Sequence, residues 1–250
     1  MKIGIMGAMT EEVDLILKKL MTDVSTLKYG SRTYHCGKID KHEVILVFSR
    51  YGKVAAATAA TTLITKFKID QLIFTGVAGA VSKDLNVGDI VISDKLYQHD
   101  MNAYPLFPEH EIPLTGITFF SADSALIKKA KLSATKVLSK TKDKASIETF
   151  EKLGISSHSK CVVGTIASGD KFISNIDQTK DIIKKKPKTV AVEMEGAAVA
   201  QTCYDHKVPF VVIRAISDRA DHKAHVDFQA FIEKIASHYS KNIVQNMLSY

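Results

Sequence analysis

The sequence predicts an α/β layered fold with a central, largely parallel sheet. Short β-branched runs alternate with longer stretches of helical periodicity, the pattern of strands crossed over by helices. Glycines or acidic residues follow several of those runs, at the positions where ligands of such sheets are bound. The balance is globular, with 46% of the 250 residues hydrophobic and 24% charged. That length is enough for one large domain over 1–250, and no Pro- or Gly-rich linker divides it.

Lys2–Met6 reads as the first strand, and Val13, Ile16, Leu17 and Leu20 then recur at helical spacing. Glu43–Phe48 is the next strand, followed after Gly52 by an Ala/Thr-rich helix from Val54 to Phe67. Gln71–Phe74 is a strand that runs into a tight small-residue turn, Thr75-Gly76-Val77-Ala78-Gly79. Asp89–Ile92 is a strand, and Ala122 to Leu138 a helix. Strands Cys161–Ile166 and Thr189–Val192 follow, then a helix after Glu195 and the strand Phe210–Ile216. A long helix closes the chain, with Phe228, Phe231, Ile232, Ile235, Tyr239 and Ile243 in one stripe and Asp227 as its N-cap.

Several function classes are set aside by composition. The opening KIGIMGAMTEEV meets an acidic pair too soon to be a signal peptide or a membrane span. Cys36, Cys161 and Cys203 are few, odd in number and free of any CxxC, so reduced thiols in the cytoplasm are expected, with Cys203 a buried structural thiol. The net charge of +7 is mostly lysine spread over 128–152 and 180–188, a solvated face without the aromatics of a nucleic-acid platform. The small-residue turn lacks the Gly-Lys-Ser/Thr of a phosphate loop, and Gly4–Gly7 lacks the third glycine of a dinucleotide fingerprint. Asp221, His222, His225 and Asp227 are read as a loop entering a helix, so neither a metal nor a cofactor is expected.

Three carboxylates stand at strand ends. Glu12 lies in the first turn of the first helix, Glu195 within AVEMEGAAVA, and Asp218 at the end of PFVVIRAISD. A charge after so apolar a run as the last is costly unless paired or used.

Taken in order, MKIGIMGAMTEEV, FTGVAGA, VGDIVISD, SGDKFI, VAVEMEGAAVA and VPFVVIRAISD span nearly the whole chain. Together they resemble the 5′-methylthioadenosine/S-adenosylhomocysteine nucleosidases of the purine nucleoside phosphorylase superfamily. The resemblance implies a three-layer nucleoside-phosphorylase-like fold, a central mixed β-sheet flanked by helices. It implies that Asp218 donates a proton to purine N7 with Ser217 beside it, and that Glu12 activates the attacking water. It assigns Glu195 to the ribose hydroxyls, Met194 to the sugar, and Ala78 and Gly79 to the turn near the ribose. Phe172 is implied to stack on the purine, and the backbone of Ile173 to read the adenine edge. Met9, Tyr51 and Phe228 fall around the 5′-alkylthio group. The partner implied is a small nucleoside, with a homodimer whose loop near Met101–Phe107 reaches the neighbouring site.

These residue types suit the reaction. Adenine leaves well only when protonated, which asks for a carboxylic acid of raised pKa, and burial would raise that of Asp218. An anion at Glu195 stabilises the oxocarbenium ion that forms as the bond breaks. The helix N-terminus is expected to keep Glu12 ionised as a base. Tyr51 is bulkier than the aliphatic residue common in the family, and Val77 replaces a common serine. A phosphorylase of the same fold would need a phosphate-binding arginine where Phe74 stands, although Arg50 is nearby in sequence. The sequence also leaves open a 6-amino-6-deoxyfutalosine nucleosidase and a non-catalytic nucleoside-binding protein.

Overall fold

The computed structural model describes residues 1–140, 159–220 and 231–249. The chain begins with β1 (Lys2–Gly7), α1 (Thr10–Leu20), the strands β2 (Thr22–Tyr29), β3 (Arg32–Ile39) and β4 (His42–Phe48), and α2 (Lys53–Thr65). It continues through β5 (Gln71–Ala80), β6 (Ile90–Gln98), β7 (Phe120–Ser121), α3 (Ser124–Lys140), β8 (Cys161–Ser168) and α4 (Ile176–Lys185). The remainder is β9 (Thr189–Glu193), α5 (Gly196–Asp205), β10 (Phe210–Asp218), and a π-helical turn Ile232–Ala236 that leads into α6 (Ser237–Leu248).

All ten strands among the described residues belong to one mixed sheet. Parallel pairs β4–β1–β5–β10 form its centre, while β9 pairs antiparallel with β5 and β6 pairs antiparallel with β10. Because β6, β8 and β9 are also joined side by side, β5, β10, β6, β8 and β9 close on themselves, and the β4–β3–β2 meander extends the other edge. The sheet is therefore mixed rather than largely parallel. Helices cover both faces: α1, α3 and α6 share one apolar cluster with Ile3, Ile5, Ile73 and Val211. The helices α2 and α5 share the other with Met6, Leu72, Phe74 and Val212. These strand residues alternate between the two clusters along each strand, as a period of two requires. Three layers result.

Every expected strand forms, and β2, β3, β7 and α4 were not expected. The β2–β3 hairpin has a wholly exposed first strand, so no alternation of polar and apolar residues marks it. The helix α4 buries only Ile182 and is capped by the Asn175 side chain, which accepts from the Asp177 N–H at 2.8 Å. One expectation is corrected. Thr75–Gly79 is no turn: β5 runs on to Ala80, because β10 pairs with it up to Asp218↔Gly79 and β9 pairs from Gly79 onward. The first part of the expected last helix, with Asp227 and Phe228, and the Asp221–His225 cluster lie outside the described residues. No helix among the described residues is long and apolar enough to cross a membrane.

Candidate active site

The C-terminal ends of β5, β9 and β10 meet around one cavity of about 260 Å³. Met9 lines it from the start of α1, Tyr51 from the β4–α2 corner, and Val77, Ala78 and Gly79 from β5. Phe172 and Ile173 come from the segment after β8, Met194 and Glu195 from the β9–α5 junction, and Ser217 and Asp218 from the end of β10. Residues scattered from position 9 to position 218 thus face one space, whereas Glu12 is not among the lining residues and Phe228 lies outside the described residues.

Asp218 is buried at the end of a strand with no exposed position. A register shift at Ser217 breaks the β10–β5 ladder just before it, the kind of irregularity that re-aims a side chain. The Ser217 hydroxyl donates to Asp218 Oδ2 at 2.8 Å, and the Ala220 N–H donates to Oδ1 at 2.7 Å. Gly79 lies directly alongside. A Cβ there would come within 2.9 Å of Asp218 Oδ1, so only glycine lets the carboxylate sit against the strand.

Glu12 is completely buried beside this cavity. Its Oε2 accepts the N–H groups of Ala8 and Met9 at 2.9 and 3.0 Å, whereas its Oε1 has no hydrogen-bond partner among the described residues. The expectation that the helix N-terminus keeps Glu12 readily ionised is overturned. Burial raises its pKa from 4.5 to about 7 and outweighs the nearby Arg214 charge and the two backbone N–H groups, which pull the other way.

Glu193 and Arg214 were not singled out in the sequence. Arg214 is buried on β10, and its Nη2 donates to Glu193 Oε2 at 2.6 Å. Its guanidinium also lies 4.1 Å from the centre of the Phe74 ring, a cation–π contact. Gly76 makes room for the cluster: a Cβ there would stand 3.0 Å from both Arg214 Nη1 and Glu12 Oε1. Glu193 further accepts the Ser168 hydroxyl and the N–H groups of Glu195 and Gly196, so it fastens the start of α5. Two glutamates spaced i, i+2 across a strand end and a helix start, with one arginine inside an apolar strand, are the sequence signal for this pairing.

Glu195 Oε1 accepts the Gly52 N–H at 2.9 Å. Its pKa is raised, first by burial and then by the charge of Glu193, with Arg214 opposing. Met9 and Ile173 are buried against the cavity, while Phe172 is 39% exposed and Tyr51 60% exposed at its mouth. Arg50 donates to the Ser31 carbonyl at 2.7 Å and does not line the cavity. Cys203 is buried and its thiol pushed up to about 12, which suits a structural role. Among the described residues no group of three His, Cys, Asp or Glu side chains is placed to hold a metal.

At and directly behind this cavity, carboxylates outnumber cations among the described residues. Glu12, Glu193 and Glu195 surround Arg214, whose charge is already committed to Glu193 at 2.6 Å.

Comparison with known proteins gives a consistent picture. The profile of the phosphorylase superfamily matches residues 2–249. A curated 5′-methylthioadenosine/S-adenosylhomocysteine nucleosidase of Staphylococcus aureus is 40% identical over 242 residues, 96% of each chain. The solved nucleosidase of that name from S. pneumoniae, bound to the transition-state inhibitor MT-ImmA, superposes with a TM-score of 0.84 at 34% identity, covering 99% of this chain and 98% of its own. The futalosine hydrolase of Helicobacter pylori strain 26695 superposes with a TM-score of 0.83 at 32% identity, covering 99% and 97%.

Proposed function

This chain belongs to the 5′-methylthioadenosine/S-adenosylhomocysteine nucleosidases of the phosphorylase superfamily, and on that premise we propose that it hydrolyses the N-glycosidic bond of those two thionucleosides to release adenine. The observation that carries the proposal is the pair of buried carboxylates, Asp218 lining the cavity and Glu12 directly behind its Ala8–Met9 wall, with the buried arginine beside Glu12 already bound by Glu193.

Asp218, protonated before the reaction, delivers its proton to purine N7 as the C1′–N9 bond breaks, and the bonding pair passes into the purine ring. Adenine then leaves neutral. The Ser217 hydroxyl and the Ala220 N–H stabilise the carboxylate left behind. The ribose becomes an oxocarbenium ion. Glu195 holds a negative charge that burial disfavours and that the developing cation favours, so its effect is largest in the transition state. Water attacks C1′ and loses its proton to Glu12 Oε1, the oxygen that no other described residue engages. A base titrating near 7 is matched to work at neutral pH. The products are adenine and the free thioribose.

Phe172 supplies a face for the purine, and the Ile173 backbone its polar edge. Met9 and Met194 offer soft apolar surface to the sugar and the alkylthio group. A homodimer is the proposed assembly. In the segment after β6, Met101 packs on the core, but Tyr104 is 76% and Leu106 83% exposed, apolar surface that a partner subunit would cover.

Adenine release by purified protein tests the reading. Methylthioadenosine, S-adenosylhomocysteine, 6-amino-6-deoxyfutalosine and methylthioinosine are compared. Cleavage of the first two with little of the 6-oxo compound is expected, because a buried hydrogen bond left unmade costs about 1–3 kcal/mol. Equal rates on the amino and oxo compounds contradict it, and cleavage of the futalosine analogue alone transfers the reading to that substrate.

A further inference from the structure

Lys53 is the first residue of α2 and its side chain is largely buried, 16% exposed. Its Nζ donates to Asp100 Oδ1 at 2.6 Å and to Gln98 Oε1 at 3.0 Å, with Asp170 Oδ2 at 3.8 Å. Its backbone N–H donates to Asp170 Oδ1 at 2.7 Å, and the Asp170 N–H donates to Asp100 Oδ2 at 2.9 Å. Hydrogen bonds from Lys53 and Asp170 hold the Asp100 carboxyl below the usual range although burial opposes them. The result is a closed ring of bonds among the start of α2, the end of β6 and the segment after β8.

All three arms bear on the cavity. Gly52, beside Lys53, donates its N–H to Glu195, and Tyr51 stands at the mouth. Asp170 is followed at once by Lys171, Phe172 and Ile173, which form one wall. The end of β6 is tied to the same wall, since the His99 N–H donates to the Ser168 carbonyl at 2.9 Å. One ammonium therefore sits between two carboxylates at the point where the wall after β8 meets the corner that holds Glu195. Without it, Asp100 and Asp170 would face each other as like charges.

We propose that Lys53 is a positioning residue that fixes the Lys171–Ile173 wall at a set distance from Glu195, by bridging Asp100 and Asp170. The proposal rests on the nucleoside reading of the cavity. Lys53 touches no reacting atom; it acts through the segment that carries Phe172 and Ile173. Its removal should weaken binding of the purine more than it slows the chemical step. Loosening by like-charge repulsion also has a signature that lost packing does not: neutralising one of the two carboxylates should restore part of the loss.

The test uses full-length protein and free adenine as the probe, with KM and kcat for methylthioadenosine and a thermal melt alongside. Lys53→Met should raise the adenine Kd and the KM about tenfold, with a smaller change in kcat. Asp170→Asn in the Lys53→Met background should recover part of that loss, and Lys53→Arg should stay near wild type. Unchanged adenine affinity and KM in a folded Lys53→Met protein, beside an active wild type, overturn the proposal and leave the nucleosidase reading standing. A double variant weaker than Lys53→Met also overturns it. If Lys53→Met does not fold, Asp170→Asn alone should raise the adenine Kd about threefold, and an unchanged Kd overturns the bridge. A wild type that neither binds adenine nor releases it overturns the nucleoside reading itself.

Discussion

The floor and the rim of the cavity are built on different terms. On the floor, Glu12, Glu193, Glu195, Arg214 and Asp218 are all buried and held by backbone groups or by one another. At the rim, Tyr51 and Phe172 are partly open to solvent, and in the segment after β6 Tyr104 and Leu106 are largely exposed. Changes to the floor should act on chemistry and on stability together, because ionisable groups there are poised against burial. Changes to the rim should act on selectivity and assembly and leave the chemical step intact.

The largest expected effect is on the floor. Asp218→Asn keeps the shape and can still donate to N7, yet it delivers no proton, so single-turnover cleavage should fall about 10²–10⁴-fold with nucleoside binding largely retained. Near-wild-type cleavage by the folded variant would give the proton to another group. Glu12→Gln should lose a comparable factor and, unlike a plain loss of function, gain stability. The folded carboxyl titrates near 7 and the ordinary one at 4.5. Ionised Glu12 therefore costs stability in full above pH 7, and that cost disappears as pH falls towards 4.5. The variant should melt higher at pH 8 by several degrees, for a gain of about 1–3 kcal/mol, and the difference should vanish near pH 4.5. Melts with no pH dependence of that difference would remove the poised carboxyl from the account.

The same group shapes the rate. If Glu12 must be ionised, kcat/KM should drop about tenfold per pH unit below a midpoint near 7. A profile flat down to pH 5 would contradict the assignment.

Rim substitutions come last in size. Tyr51→Val should alter the ratio of kcat/KM between methylthioadenosine and S-adenosylhomocysteine by about 10-fold, the lower end of what one apolar contact is worth, because the side chain is 60% exposed. A fall of both substrates by the same large factor would move Tyr51 to the floor. Leu106→Asp should shift the protein towards monomer in sedimentation. An unaltered assembly would show that Leu106 lies outside any interface.

Gly79, Glu195 and Asp218 were legible in the sequence because each follows an apolar run, whereas Met9, Tyr51, Phe172, Ile173 and Met194 came from the resemblance alone. Their grouping at one site came from the resemblance, since no periodicity says which strand ends meet. Arg214 was hidden because one arginine in PFVVIRAISD looks like an outward-facing strand position until β5 and β6 are seen to flank it. Glu193 was overshadowed by Glu195 two positions on. The Glu12 pKa was misjudged for a physical reason: a helix terminus acts weakly, and complete burial acts strongly. The strand β2 carried no signal at all, being exposed throughout.

The central claim is that this carboxylate-rich floor delivers water, and not phosphate, to C1′. It is tested most directly by turning over methylthioadenosine in ¹⁸O-water with inorganic phosphate present and analysing the sugar product by mass spectrometry. The account predicts free methylthioribose carrying one ¹⁸O at C1, at a rate independent of phosphate. An unlabelled methylthioribose 1-phosphate as the main product would contradict it.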